Sequence, residues 1–134
     1  MNAGLEALLA REACARLCVD FAGHADAREA DRLALLFTSD GEFDRLGQVF
    51  KGREAIRNAI AARPEDVWTR HYVSNIRIDV GPDGLAARGV CHLLLFRGKT
   101  GTAGHEVIHA EYEDVFVRAE EGWQIASRKV IGRP

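Results

Sequence analysis

No charge of one sign dominates this sequence. Its 18 Lys and Arg stand against 20 Asp and Glu, mixed along 134 residues, for a net charge of −2. Such a mixture offers no sustained field to a polyanion or a membrane surface, so neither nucleic acid nor membrane is expected as a partner. Long apolar runs are also lacking. No stretch nears the roughly 20 apolar residues of a membrane span, and Met1 to Ala10 lacks the basic-then-apolar order of a secretory leader, so the expected address is cytoplasmic. Cysteines are few and odd in number: Cys14, Cys18 and Cys91. They lack metal-site spacing and read as reduced core thiols, with nothing to support a functional pairing of Cys18 with Cys91. There is no H-E-x-x-H. His105 and His109, four apart on a predicted strand, would stand about 13 Å from each other, too far for one ion. The glycine-rich GKTGTAG lacks the order of a phosphate-binding loop. No metal and no cofactor is expected.

What is present is a clear change of period along the chain. From Leu5 to Asp26 the apolar residues Ala10, Cys14, Leu17, Cys18, Phe21 and Ala25 recur at three- and four-residue steps, which predicts a long amphipathic helix. Asp26 ends a neighbouring row of Leu8, Ala15, Val19 and Ala22, an unusual place for a carboxylate. Glu29 to Phe37 predicts a short second helix stopped by Ser39-Asp40-Gly41, whose residues favour turns. Glu42 to Arg45 and Gln48 to Lys51 alternate around Leu46-Gly47 as a small hairpin. A third helix opens at Gly52-Arg53-Glu54 and ends near Pro64, which disfavours a helical residue before it.

Beyond Pro64 the pattern is that of strands: Trp68 to Val80, Leu85 to Arg97, His105 to Ala119 and Gly122 to Ile131, separated by turn signals. In the first of these the apolar phase slips near Ser74-Asn75, which predicts a β-bulge and a bent sheet. Helices first and a meander last is the order of a single α+β domain over residues 1–134. One good core is expected at this length.

This order, together with FAGHADAREADRLALLFTSDGEF, KGREAI, TRHYVSNIRIDV and YEDVFVRAEEGWQIASRKV, resembles the SnoaL-like branch of the NTF2-like superfamily, the branch of scytalone dehydratase, polyketide cyclases and a dehydrochlorinase. The resemblance covers nearly the whole chain. It implies a cone in which a strongly curved, mixed or antiparallel sheet wraps three N-terminal helices and encloses an apolar pocket, often in a homodimer or homotrimer. A fold does not fix chemistry, and other relatives are binding or assembly modules, including dioxygenase small subunits.

By the same resemblance Asp26 matches the carboxylate of the first helix and His71 the strand histidine it orients. A carboxylate bound to one imidazole nitrogen fixes the tautomer and leaves the other nitrogen as a base. His92, in the apolar run VCHLLLF, would be costly without a polar partner or ligand, and matches a second histidine that positions substrate. Asn75 either supports the bulge or faces the pocket. Glu111 and Glu113 share one face of their strand, Tyr112 and Asp114 the other, and parity alone leaves open which face lines the pocket. The tyrosine that adjoins the carboxylate in scytalone dehydratase is Ala25 here, which argues against that substrate. The expectation is a cofactor-free lyase or isomerase, dehydration first, with Asp26, His71 and His92 catalytic. Phe21, Val73, Asn75, Glu111, Tyr112 and Glu113 would contact a small apolar cyclic or aromatic oxygenated substrate. The alternative is a non-catalytic ligand-binding or subunit-assembly module.

Overall fold

The computed structural model describes residues 2–133. Helix α1 (Ala3–Asp26) starts at Asn2, whose side chain accepts from the Leu5 amide at 2.7 Å and satisfies one of the unpaired donors of the first turn. Its buried face is Ala10, Cys14, Leu17, Cys18, Phe21, Ala22 and Ala25, the stripe expected from its period. The neighbouring row is not buried throughout: Leu8 and Val19 are about half exposed, and only its C-terminal end, Ala22 and Asp26, turns inward.

Helix α2 (Ala30–Ala34) is shorter than predicted, because strand β1 (Phe37–Arg45) already begins at Phe37. Ser39-Asp40-Gly41 does not end an element. Along β1 the pairing passes from Phe37↔Ile125 to Glu42↔Ser127, so the turn-forming residues are absorbed in a wide bulge. Gly41 folds back onto Phe37 there; a Cβ on it would sit 3.0 Å from the Phe37 Cβ. Strand β2 (Gln48–Lys51) closes the predicted hairpin, and α3 (Arg53–Ala61) follows.

Four long strands complete the chain: β3 (Val67–Val80), β4 (Ala86–Lys99), β5 (Glu106–Ala119) and β6 (Gly122–Gly132). The sheet order is β2-β1-β6-β5-β4-β3, antiparallel except where β1 runs parallel to β6. The bulge predicted near Ser74-Asn75 is present. Register shifts between Ser74 and Arg77, and Asn75 takes φ 53°, a conformation that asparagine tolerates better than most residues. A second shift, between Val115 and Phe116, bends β5 against β6. The two bulges reinforce the twist and curl the sheet over the helices.

The inner face carries the core. Phe21 makes edge contacts with Phe37, Phe43 and Tyr112 at centroid distances of 6.2, 5.5 and 5.7 Å, within the range where such pairs are favourable. Gly89 on β4 is required by close approach: a Cβ would lie 2.7 Å from Ile78 and 2.8 Å from Phe116. Parity assigns the outer face to Trp68, Arg70, Tyr72, His92, Leu94, Phe96, Val107, His109, Glu111 and Glu113, where Tyr72 and Val107 are exposed. No helix among the described residues is long and apolar enough to cross a membrane.

Candidate active site

Asp26 is the last residue of α1, and the chain turns away immediately after it with Arg28 at φ 62°. Arg28 then acts as a tie. Its guanidinium donates to the carbonyls of Arg63, Pro64, Glu65 and Val67, which fixes the loop between α3 and β3 against the end of α1. The start of β3 is thereby held beside Asp26. The His71 amide donates to Asp26 Oδ2 at 2.8 Å, and His71 Nδ1 lies 2.6 Å from Asp26 Oδ1. Thr69, buried two residues earlier on the same face, donates its hydroxyl to Asp26 Oδ1 at 3.0 Å and accepts from Arg63 Nη1 at 2.6 Å. Arg63 also donates to the Ala25 carbonyl at 3.0 Å.

The side chains of His71 and Asp26 are 11% and 19% exposed, so the pair is largely, but not wholly, withdrawn from water. Burial opposes ionisation of Asp26, but the hydrogen bonds from the His71 ring, the His71 amide and Thr69, with the charge of His71, together hold its carboxyl below the usual range. An ionised Asp26 accepts, so in the neutral imidazole Nδ1 carries the hydrogen and Nε2 keeps its lone pair. Among the described residues nothing hydrogen-bonds Nε2.

His71 opens onto a cavity of about 440 Å³ between the inner sheet face, α1 and α3. Its apolar wall includes Phe21, Phe43, Ile60, Leu93, Leu95 and Tyr112, and its remaining polar side chains are Thr69, Arg45, Arg63 and Arg97. That volume and lining suit a small, mainly apolar molecule fixed by a few polar groups.

Of the residues singled out in the sequence, Asp26, His71, Phe21 and Tyr112 converge here. His92 does not. It pairs with Ser74 and Glu111 on the outer face, is about half exposed, and has Glu111 at 3.9 Å from its Nε2. The apolar company of Leu94 and Phe96 that made it look buried belongs to the convex face, not the core. Glu111 and Glu113 lie on that same face, and Glu111 meets Arg133 at 3.3 Å. Asn75 sits exposed at the bulge, and Val73, although packed against the core below His71, is not part of the cavity wall.

Thr69, Arg63 and the Arg28 tie were not read from the sequence. Thr69 had a signal, since it shares parity with His71; the arginines had none, because their partners are distant carbonyls. Also unforeseen is a second polar cluster behind the cavity. Arg128 donates to both oxygens of Asp114, at 2.8 and 2.9 Å, with both side chains fully buried, and its guanidinium lies 3.8 Å from the Tyr112 ring centre and 4.5 Å from that of Phe21. The three cysteines are buried and free. Cys18, Cys91 and Asp114 place ligand atoms within 4.8 Å of one another, but Asp114 is already engaged by a guanidinium, whose positive charge takes the part of a cation. These residues do not fit a metal site.

A curved sheet closed over helices, with a histidine on the cavity wall held from behind by the carboxylate that ends the first helix, defines an NTF2-like cone. The chain belongs to the SnoaL-like domain family, whose sequence profile matches residues 6–129. Similar solved structures include an NTF2-like protein with a cystatin-like fold from Novosphingobium aromaticivorans (28% identity, TM-score 0.84, covering 96% of this chain and 84% of that one). A Catenulispora acidiphila protein solved in complex with S-DNPA is 26% identical, with TM-score 0.76, 89% of this chain and 90% of that one covered. A type 2 hexachlorocyclohexane dehydrochlorinase shares the fold at 21% identity, TM-score 0.87, covering 98% and 90%. No curated protein matches the chain.

Proposed function

We propose that this protein is a cofactor-independent lyase or isomerase, with dehydration as the favoured reaction, acting on a small, largely apolar, cyclic or aromatic oxygenated substrate. The observation that carries the reading is the 2.6 Å contact of His71 Nδ1 with Asp26, on the wall of an open cavity. His71 Nε2 removes a proton from a carbon next to an activating carbonyl, and the adjacent ionised Asp26 stabilises the imidazolium so formed. The imidazolium then returns that proton. Delivered to a β-hydroxyl, it breaks the C–O bond and releases water with formation of the C=C bond; delivered to a different carbon, it moves a double bond. Either way the pair is restored within one turnover, and no acid from His92 is needed.

The dehydrochlorinase among the structural neighbours, at 21% identity, speaks for the fold alone. The test is turnover of a panel of β-hydroxylated cyclic ketones by the wild type and by His71→Ala and Asp26→Asn. A general base of this kind contributes about 10²- to 10⁴-fold, and both variants are expected to lose that much while remaining folded. Unchanged turnover in either removes the pair from the mechanism. The non-catalytic alternative would show ligand binding and no turnover on any member of the panel.

A further inference from the structure

The cavity wall carries three arginines and no aspartate or glutamate: Arg45 near the end of β1, Arg63 just after α3 and Arg97 near the end of β4. In a chain with more acids than bases, this is an imbalance confined to one place. None of the three makes an ion pair with an Asp or Glu among the described residues, although Arg16, Arg32, Arg57, Arg128 and Arg133 all do. Glu106, the register neighbour of Arg97 on β5, is exposed, lies outside the wall and makes no ion pair with it. Arg45 rests over the Phe50 ring at 5.0 Å, and Arg63 keeps a buried Nε without a hydrogen-bond partner. Burial lowers both Arg45 and Arg63 from their usual values, with the like charge of Arg97 adding to it at Arg45 and those of Arg28 and then Arg97 at Arg63, where Asp26 acts the other way. Asp26, reached from Arg63 through the Thr69 hydroxyl, offsets part of this charge behind the wall; on the cavity side the three cations repel one another, and an anion entering among them relieves that repulsion.

Register places the cluster relative to the chemistry. Arg97 pairs with Thr69, and the next inward residue of β4, Leu95, pairs with His71. The guanidinium row therefore stands one strand step outside the His71 row, while Phe21 and Tyr112 close the inner end.

We propose that the cavity selects a substrate with an apolar ring body and a carboxylate head, the head held at the cavity mouth by Arg97 and Arg45 with Arg63 behind them. This rests on the cavity being the substrate site, and it narrows the substrate class to oxygenated cyclic acids. The body enters first against Phe21, Leu93 and Tyr112, and the head stays within reach of the arginines, leaving the ring positions nearest the head beside His71.

Calorimetric titration with 2-naphthoate and with 2-naphthalenemethanol, a neutral molecule of the same shape, tests it without turnover. The wild type is expected to bind the carboxylate about tenfold or more tightly, the preference shrinking at high salt. Arg45→Gln/Arg97→Gln is expected to lose that preference while binding the alcohol as the wild type does, which also reports that it is folded. His71→Ala is expected to keep the preference, so a failed lyase reading and a failed carboxylate reading give different results. Equal binding of the two ligands by the wild type, no binding of either, or an unchanged preference in the double variant overturns the proposal.

Discussion

Two carboxylates reach a basic side chain across the inside of this cone, and their surroundings differ in one respect. Asp114 meets Arg128 with both side chains fully buried among Phe21, Tyr112 and Cys18. Asp26 meets His71 with 19% and 11% of their side chains still exposed, on the wall of the cavity. Arginine cannot release its proton in a protein, and a closed pair has nothing to exchange it with. Histidine can, and among the described residues the second nitrogen of His71 has no hydrogen-bond partner. Phe21 and Tyr112 separate the two pairs, lining the cavity on one side and stacking on Arg128 on the other. The lesson is that burial and residue type together set the two pairs apart: the inner one is a closed ion pair behind the cavity, and the outer one is the pair to which the proposed reading gives proton transfer.

The contrast is broken most severely by removing one member of each pair. His71→Ala should cost about 10²- to 10⁴-fold in turnover and little stability, whereas Arg128→Met should leave Asp114 as an unpaired buried charge and cost about 3–5 kcal/mol of stability. Urea unfolding beside activity measurements checks both. If Arg128→Met proves harmless to stability, the inner pair is not a closed ion pair.

A double exchange sharpens the point. Arg128→Met with Asp114→Leu replaces both charges by apolar groups of similar volume, and such exchanges are often near neutral or stabilising. The double variant should therefore recover most of what the single variant loses, read from urea midpoints of the four proteins. Additive losses would mean that the two side chains are not coupled.

The smallest of these effects concerns pH. The folded carboxyl of Asp26 is held below its ordinary value by His71 and Thr69 in spite of burial, so its contribution is complete above the unfolded value of about 3.9 and is lost as pH falls through the lower folded value. The stability gap between the wild type and Asp26→Asn should close progressively as pH falls below about 4. A gap that widens as pH falls below about 4 would mean that the carboxyl is not held in its ionised form by the fold.

Much of this was legible in the chain itself. The stripe from Ala10 to Ala25, the strand limits and the slip at Ser74-Asn75 all follow from local period, and local period needs no knowledge of partners. His92 misled because a residue in an apolar strand can face either side, and here Leu94 and Phe96 are apolar on the outer surface. The turn residues Ser39 to Gly41 misled because a bulge and a chain reversal draw on the same residue types. Arg28, Arg63 and Arg128 gave no signal, since each is defined by what it reaches across the fold, and parity alone left open which face of the strand from Glu111 to Asp114 turns inward.

The measurement closest to the central claim needs no substrate: the tautomer of His71 by two-bond ¹H–¹⁵N correlation on labelled protein near neutral pH, with His71→Ala for assignment. The account predicts Nδ1 protonated and bound to Asp26, with Nε2 bare in the neutral form, and loss of that order in Asp26→Asn. A neutral imidazole carrying its hydrogen on Nε2 would contradict it, because the atom facing the cavity would then be a donor and not a base.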